Sequence, residues 1–251
     1  MVPVIDLNAD VGEEASGAEG DTAILDIVTS ASVACGFHAG DPSVMRRTLG
    51  EAVARRVVVG AHPSYPDRPG FGRRDMTISP ARLTDDLLYQ IGALDGLARS
   101  YSARVRYVKP HGALYHRMAE DDACARAVCD ALRAYGELAL LAPYGSLSIA
   151  VAEQLGIEVA TEAFADRAYL PDGRLVARGD RGAVVTDPDE VAARAVTLAV
   201  DHRVAATDGS WLPVAASSIC IHGDTPGSAQ LAQRVRGALT DAGIGLEPFV
   251  T

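Results

Sequence analysis

The chain of 251 residues contains no uncharged stretch near the roughly 18 residues that cross a bilayer. The segment after Met1 carries acids where a secretory signal would place basic and then long apolar residues. A cytoplasmic location with no membrane partner is therefore expected. Positive charge is scarce: 23 lysines and arginines stand against 33 aspartates and glutamates, for a net charge of −10, which argues against a nucleic-acid partner. No C-x-x-C pair occurs, so neither a zinc knuckle nor a disulfide framework is expected, and Cys35, Cys124, Cys129 and Cys220 read as reduced thiols. Cys35 and Cys220 sit in apolar runs and should pack as small buried hydrophobes. The first strand lacks a following G-x-G-x-x-G, and no G-x-x-x-x-G-K-[ST] appears anywhere, so the Rossmann and P-loop phosphate devices are both missing. No Ser-, Pro- or Gly-rich linker divides residues 1–251, which read as a single domain.

What is present is a regular alternation. With 48% apolar and 22% charged residues the chain can bury a core. Short β-rich runs fall at 4–8, 30–36, 57–62, 105–112, 138–143, 157–164 and 217–223. Helical patterns lie between them, at 42–55, 79–100, 120–135, 146–155, 188–203 and 226–242, with a shorter one near 21–28. Asp41-Pro42, Ser79-Pro80, Asp187-Pro188 and Thr225-Pro226 each place a capping side chain before a proline at the first helical position. Such βαβ repetition implies a parallel sheet, and without a dinucleotide turn the expectation is an α/β fold: a TIM-like (β/α) barrel of seven parallel strands. The segment 166–186 interrupts the alternation with an Asp-Gly turn and reads as an elaborated loop after the sixth strand.

In such a barrel the reactive groups collect where the strands end. Here those positions hold Asp6, Asn8, Asp10, His38, Asp41, His62, Lys109, His111, Glu162, Asp166, His222 and Asp224. Asp41 is already explained as a helix cap. His38, His62, His111 and His222 recur after four strands, and with Asp10, Glu162 and Asp224 they can bind a divalent metal or supply acid–base pairs. The expected catalytic set is Asp10, His38, His62, His111, Glu162 and His222, and the expected metal set is Asp10, His62 and Asp224. His116 and His202 are expected outside the centre. Lining an open mouth, these groups should be partly solvated. The loop at 60–76 surrounds Tyr65 and Phe71 with prolines, glycines and three arginines, and Arg73 and Arg74 can clamp a carboxylate or phosphate. With Asn8, Lys109 and Asp166 they form the expected substrate- and phosphate-binding set.

The strings DLNADVGE, ACGFHAGDP, GAHPSYPDRPGFGRR, YQIGAL, VKPHGALY, EAFADRAY and ICIHGDTP together resemble the lactam-utilisation (LamB/YcsF) family, from about residue 4 to about residue 236. The resemblance implies a seven-stranded (β/α) barrel similar to the glycoside hydrolase/deacetylase fold. It also implies ATP-dependent hydrolysis of 5-oxo-L-proline to L-glutamate, as the A subunit of a bacterial 5-oxoprolinase that needs subunits B and C. ATP would then be a co-substrate, Mg²⁺ would travel with the nucleotide, and a protein-bound divalent metal and a homo-oligomer both stay open.

Lactam opening needs a base for water, charge stabilisation of the tetrahedral species and an acid for the leaving amine. Strand-end histidines and carboxylates suit all three tasks. Two other readings stay open: a stand-alone metal-dependent deacetylase or amidohydrolase using Asp10, His38 and His62, and a non-catalytic subunit that only binds substrate.

Overall fold

The computed structural model describes residues 3–13, 17–221 and 227–251. In chain order the elements are β1 (Val4–Val11), α1 (Gly17–Leu25), β2 (Ser30–Ala34), α2 (Pro42–Ala54), β3 (Val58–His62), α3 (Pro80–Ala98), β4 (Tyr107–Val108), α4 (Gly112–Glu120), α5 (Asp122–Tyr135), β5 (Ala139–Pro143), α6 (Leu147–Gln154) and β6 (Val159–Phe164). They continue with α7 (Pro188–Asp201), β7 (Arg203–Ala205), β8 (Trp211–Pro213), β9 (Ser218–Cys220), α8 (Ser228–Asp241) and β10 (Gly245–Leu246). β1 through β6 pair in sequence, β6 pairs β9, and β9 returns to β1, all in parallel. Seven strands thus close a barrel, as the alternation predicts. β10 adds beside the start of β1, with Val4 opposite Gly245.

β1 shows why the barrel has a polar interior. Successive side chains on a strand face opposite ways. Ile5, Leu7, Ala9 and Val11 join the main apolar core with residues of the surrounding helices. Asp6, Asn8 and Asp10 consequently face the barrel axis, where they are bonded to residues of other strands. Beneath this polar layer Tyr107, Ala139, Leu141 and Ala160 pack with Val58, Phe249 and Val250, so the C-terminal segment closes the barrel floor. Gly60 is required there, because a Cβ on it would collide with the Tyr107 ring.

The proline-marked helix starts within the described residues are capped as expected. Asp41 accepts from Ser43 N and Val44 N, Ser79 from Arg82 N, and Asp187 from Asp189 N and Glu190 N. The Thr225-Pro226 start lies outside the described residues. Three features differ from the sequence reading. The fourth strand is only two residues long, since Pro110 lacks an N–H for the ladder. The pattern near 120–135 is α5, capped by Asp121 through Cys124 N, and a helix the sequence pattern does not mark, α4, precedes it. Between α7 and β9 an antiparallel hairpin, β7–β8, turns at Asp208-Gly209. Within 166–186, isolated bridges pair Arg167 with Val184 and Tyr169 with Leu175, giving the expected excursion over the mouth.

Candidate functional site

Three strand ends bring imidazoles to one point. His62 closes β3, His111 precedes α4, and His38 follows β2. The main chain fixes two of the rings: His62 Nδ1 donates to the Lys109 carbonyl at 2.6 Å, and His111 Nε2 donates to the Phe71 carbonyl at 2.9 Å. Their remaining nitrogens, His62 Nε2 and His111 Nδ1, face each other at 3.0 Å. His38 stacks on His111 with ring centroids 3.9 Å apart. The Phe71 ring meets both edge-on, at 5.6 and 5.3 Å.

The loop carrying Phe71 comes this close only because glycine is present. Gly72 has φ +64, and a Cβ on it would lie 2.9 Å from both His38 and His111; Gly112 has φ +59, and its Cβ would lie 2.5 Å from the Gly72 carbonyl oxygen. Ala113 N donates to that same carbonyl at 2.9 Å, fastening the loop to α4.

A carboxylate enters the triangle from the turn after β1. Glu13 Oε1 lies 3.2 Å from His38 Nε2, 3.2 Å from His111 Nδ1 and 3.7 Å from His62 Nε2. Burial alone would raise the Glu13 pKa, but hydrogen bonds from His111 and His38 override it and hold the carboxyl well below the usual range. Burial pushes His38 down to about 3, against the pull of Glu13. For His62 burial also favours the neutral ring, yet Asp10 and Glu13 outweigh it and raise its pKa; Asp10 Oδ2 lies 3.3 Å from its Nε2.

Below this centre lies Lys109. Its ammonium reaches Glu162 Oε1 at 2.8 Å, Asp10 Oδ1 at 2.9 Å, Cys220 Sγ at 3.1 Å and Asn8 Oδ1 at 3.2 Å. Burial opposes the charge, but Asp10, Cys220 and Glu162 keep the Lys109 pKa well above its ordinary value. An ammonium has three N–H donors, so Lys109 is committed inside the barrel rather than held out for a substrate carboxylate or phosphate. Asn8 completes the network, donating to Glu162 Oε1 at 2.9 Å and Ser218 Oγ at 2.7 Å. Tyr115 donates to Glu162 Oε2 at 2.8 Å.

A cavity of about 1180 Å³ opens above this layer, lined by Asp10, Glu13, His62, Lys109, His111, Tyr115 and Glu162. Its outer wall includes Arg73, Arg167, Arg174 and Arg178, and much of it comes from the 166–186 excursion. His38 is buried against the centre, outside the lining. Contrary to the expectation of partly solvated mouth residues, His38 and His62 are 1% exposed, Lys109 and Glu162 2%, and Asp10 9%. Arg73 lies over the Phe71 ring at 4.9 Å and lines the cavity, whereas Arg74 is spent on Asp67, so the expected two-arginine clamp does not form. Asp166 is buried but absent from the lining; its carbonyl accepts from Val185 N. His116 is an exposed residue of the cavity wall, and His202 ends α7 in the left-handed region at φ 52. His222 and Asp224 lie outside the described residues. All four cysteines are free and buried, and burial raises the Cys220 thiol well above its ordinary value.

Glu13 is the residue that reading the strand ends misses. It sits just past β1, beyond Gly12, and only the acidic run in DVGEE points to it. Among the described residues, the group whose potential ligand atoms converge is Glu13, His38, His62 and His111, all within 4.8 Å of one another. Of the expected metal set, His62 belongs to this group, Asp10 lies beside it with Oδ2 3.3 Å from His62 Nε2 and Oδ1 on Lys109, and Asp224 lies outside the described residues.

Fold and site together define a seven-stranded (β/α)-barrel protein with a buried histidine–carboxylate centre at its mouth. Within that class the chain belongs to the LamB/YcsF family, whose profile matches residues 5–251. It is 53% identical to the 5-oxoprolinase A subunit of Streptomyces griseus over 249 residues, covering 98% of this chain and 100% of the relative. It is 52% identical to the 5-oxoprolinase A subunit of Kocuria rhizophila, covering 98% and 99%. The crystal structure of a lactam utilization protein from Thermus thermophilus superposes with a TM-score of 0.91 at 41% identity, covering 98% of this chain and 100% of that one.

Proposed function

We propose that this protein is the lactam-handling subunit of a cytoplasmic, multi-subunit 5-oxoprolinase that converts 5-oxo-L-proline to L-glutamate at the expense of ATP. The observation that carries the reading is full-length identity of about one half to relatives bearing that name, joined to a buried acid–base centre that opens into a cavity. A five-membered lactam closes easily, so its hydrolysis is unfavourable near neutrality, and ATP supplies the missing free energy. ATP and its Mg²⁺ would act as co-substrate within an assembly that includes subunits B and C.

The residues divide the work as follows. His62, held between the Lys109 carbonyl and Asp10, exchanges a proton with the attacking water and the leaving amine. Lys109 pairs with Asp10 and Glu162 and holds them in place, and so acts as a positioning residue. Arg73 at the rim suits the substrate carboxylate, whereas Arg174 is paired with Asp172 and Arg167 donates to the Ala183 and Val176 carbonyls.

The deciding experiment measures glutamate and ADP formed from 5-oxoproline by this chain alone, by subunits B and C alone, and by all three mixed. Matched formation only in the full mixture is expected. Acetate release from an acetylated sugar, with 5-oxoproline untouched, would replace this reading with the deacetylase. Turnover by B and C alone would leave this chain a binding role.

A further inference from the structure

We infer that Glu13, His38, His62 and His111 form a binding site for one divalent transition-metal ion of the zinc type. The inference goes beyond the lactam reading and bears on it at one point: with an ion bound, His62 Nε2 is a ligand and not a proton carrier. The outer nitrogens of His62 and His111 face main-chain carbonyls at 2.6 and 2.9 Å, and a carbonyl only accepts, so both carry the ring proton there. With both rings neutral, their inner nitrogens would present lone pairs to each other at 3.0 Å. Lone pairs at that distance repel unless a proton or a cation joins them. Carbonyl bonds of this kind to the outer nitrogen are the usual way a protein fixes the tautomer and aim of a metal-binding histidine.

The spacing then favours the cation. Metal–ligand bonds of about 2.0–2.1 Å in tetrahedral geometry put neighbouring ligand atoms about 3.3 Å apart. Four of the six separations within the cluster are 3.0, 3.2, 3.2 and 3.7 Å, and all six lie within 4.8 Å. Charge agrees: three carboxyl groups, Asp10, Glu13 and Glu162, border the buried centre against one ammonium, Lys109, an environment that favours a further cation. One further detail is His38 Nδ1, a buried nitrogen with no hydrogen-bond partner. A ring held by coordination through Nε2 tolerates that cost, whereas a ring held only by hydrogen bonds has less to offset it. Three imidazoles and one carboxylate select zinc, cobalt or iron over magnesium, which prefers an all-oxygen shell.

The test uses the untagged full chain, stripped with a chelator and dialysed against Zn²⁺, with bound metal counted by elemental analysis. One zinc per chain, a raised melting temperature, and ligand-field bands of a four-coordinate ion on substitution with Co²⁺ are expected. Glu13→Gln and His111→Ala should each weaken zinc binding at least about 100-fold, while His202→Ala leaves it unchanged. The cobalt spectrum of the wild type keeps the test decisive if a variant fails to fold. No saturable zinc in the wild type, or zinc retained in a folded His38→Ala/His111→Ala double variant, overturns the assignment and leaves the cluster a proton-sharing network.

Discussion

Lys109 and Glu162 form an ion pair at 2.8 Å in which both side chains are almost wholly buried. Removing one member of such a pair strands the other charge in a dry interior, and the cost exceeds the pair's own net worth. Lys109→Met should therefore destabilise the fold by about 3–5 kcal/mol. Adding Glu162→Gln should restore part of that loss. Chemical denaturation of the single and double variants checks both signs, and additive losses would mean that the two residues are not coupled.

His62→Ala and Asp10→Asn should each lower turnover of the reconstituted enzyme by about 10²-fold or more, because each removes a proton-transfer or orienting group. Melting curves recorded beside the assay separate chemistry from folding. A variant with near-normal turnover would strike that residue from the mechanism.

Asp6 sets a pH dependence at the barrel floor. Burial raises its pKa from 3.8 to about 6, against hydrogen bonds from Ser218, Thr29 and Ser30. Between those values the native state holds a proton that the unfolded chain has lost. Stability from this group is therefore full below about pH 4 and disappears as pH rises through about 6, a change of about 3 kcal/mol by linkage. Asp6→Asn should flatten the denaturation free energy between about pH 4 and pH 7. A wild-type curve with no slope attributable to Asp6 in that window would contradict the account.

Gly112→Ala should damage the centre more than the core. The new Cβ meets the Gly72 carbonyl and must adopt φ +59, so the loop is pushed away from His111. A stability loss of about 1–3 kcal/mol with turnover falling further than the melting point suggests is the expected pattern. Gly92→Ala, on α3 with open space around its Cβ, is the control and should leave both nearly unchanged.

Much of this arrangement was legible in the sequence because strand ends are chemically marked. His38, His62 and His111 follow separate apolar runs, and the barrel brings them together. The proline-preceded caps were equally plain. What stayed hidden depends on side-chain partners. Nothing local says that Arg74 will turn to Asp67 while Arg73 faces the cavity, or that Lys109 will be consumed by two carboxylates from β1 and β6. Glu13 escaped because it lies beyond the strand, in a turn where an acid ordinarily means solvent. The β7–β8 hairpin escaped because short strands of three residues carry too little period to read.

The inward face of β1 also shapes how the chain reaches its native state. Asp6, Asn8 and Asp10 are made well before their partners, which stand 24, 99, 154 and 212 positions later, at Ser30, Lys109, Glu162 and Ser218. Until β9 emerges, these polar groups have no complete dry environment to enter, and the loop entropy of closing the ring is unrecovered. Barrel closure is thus a late, slow event in synthesis, and partly made chains keep an apolar outer wall and an unsatisfied inner one exposed to chaperones.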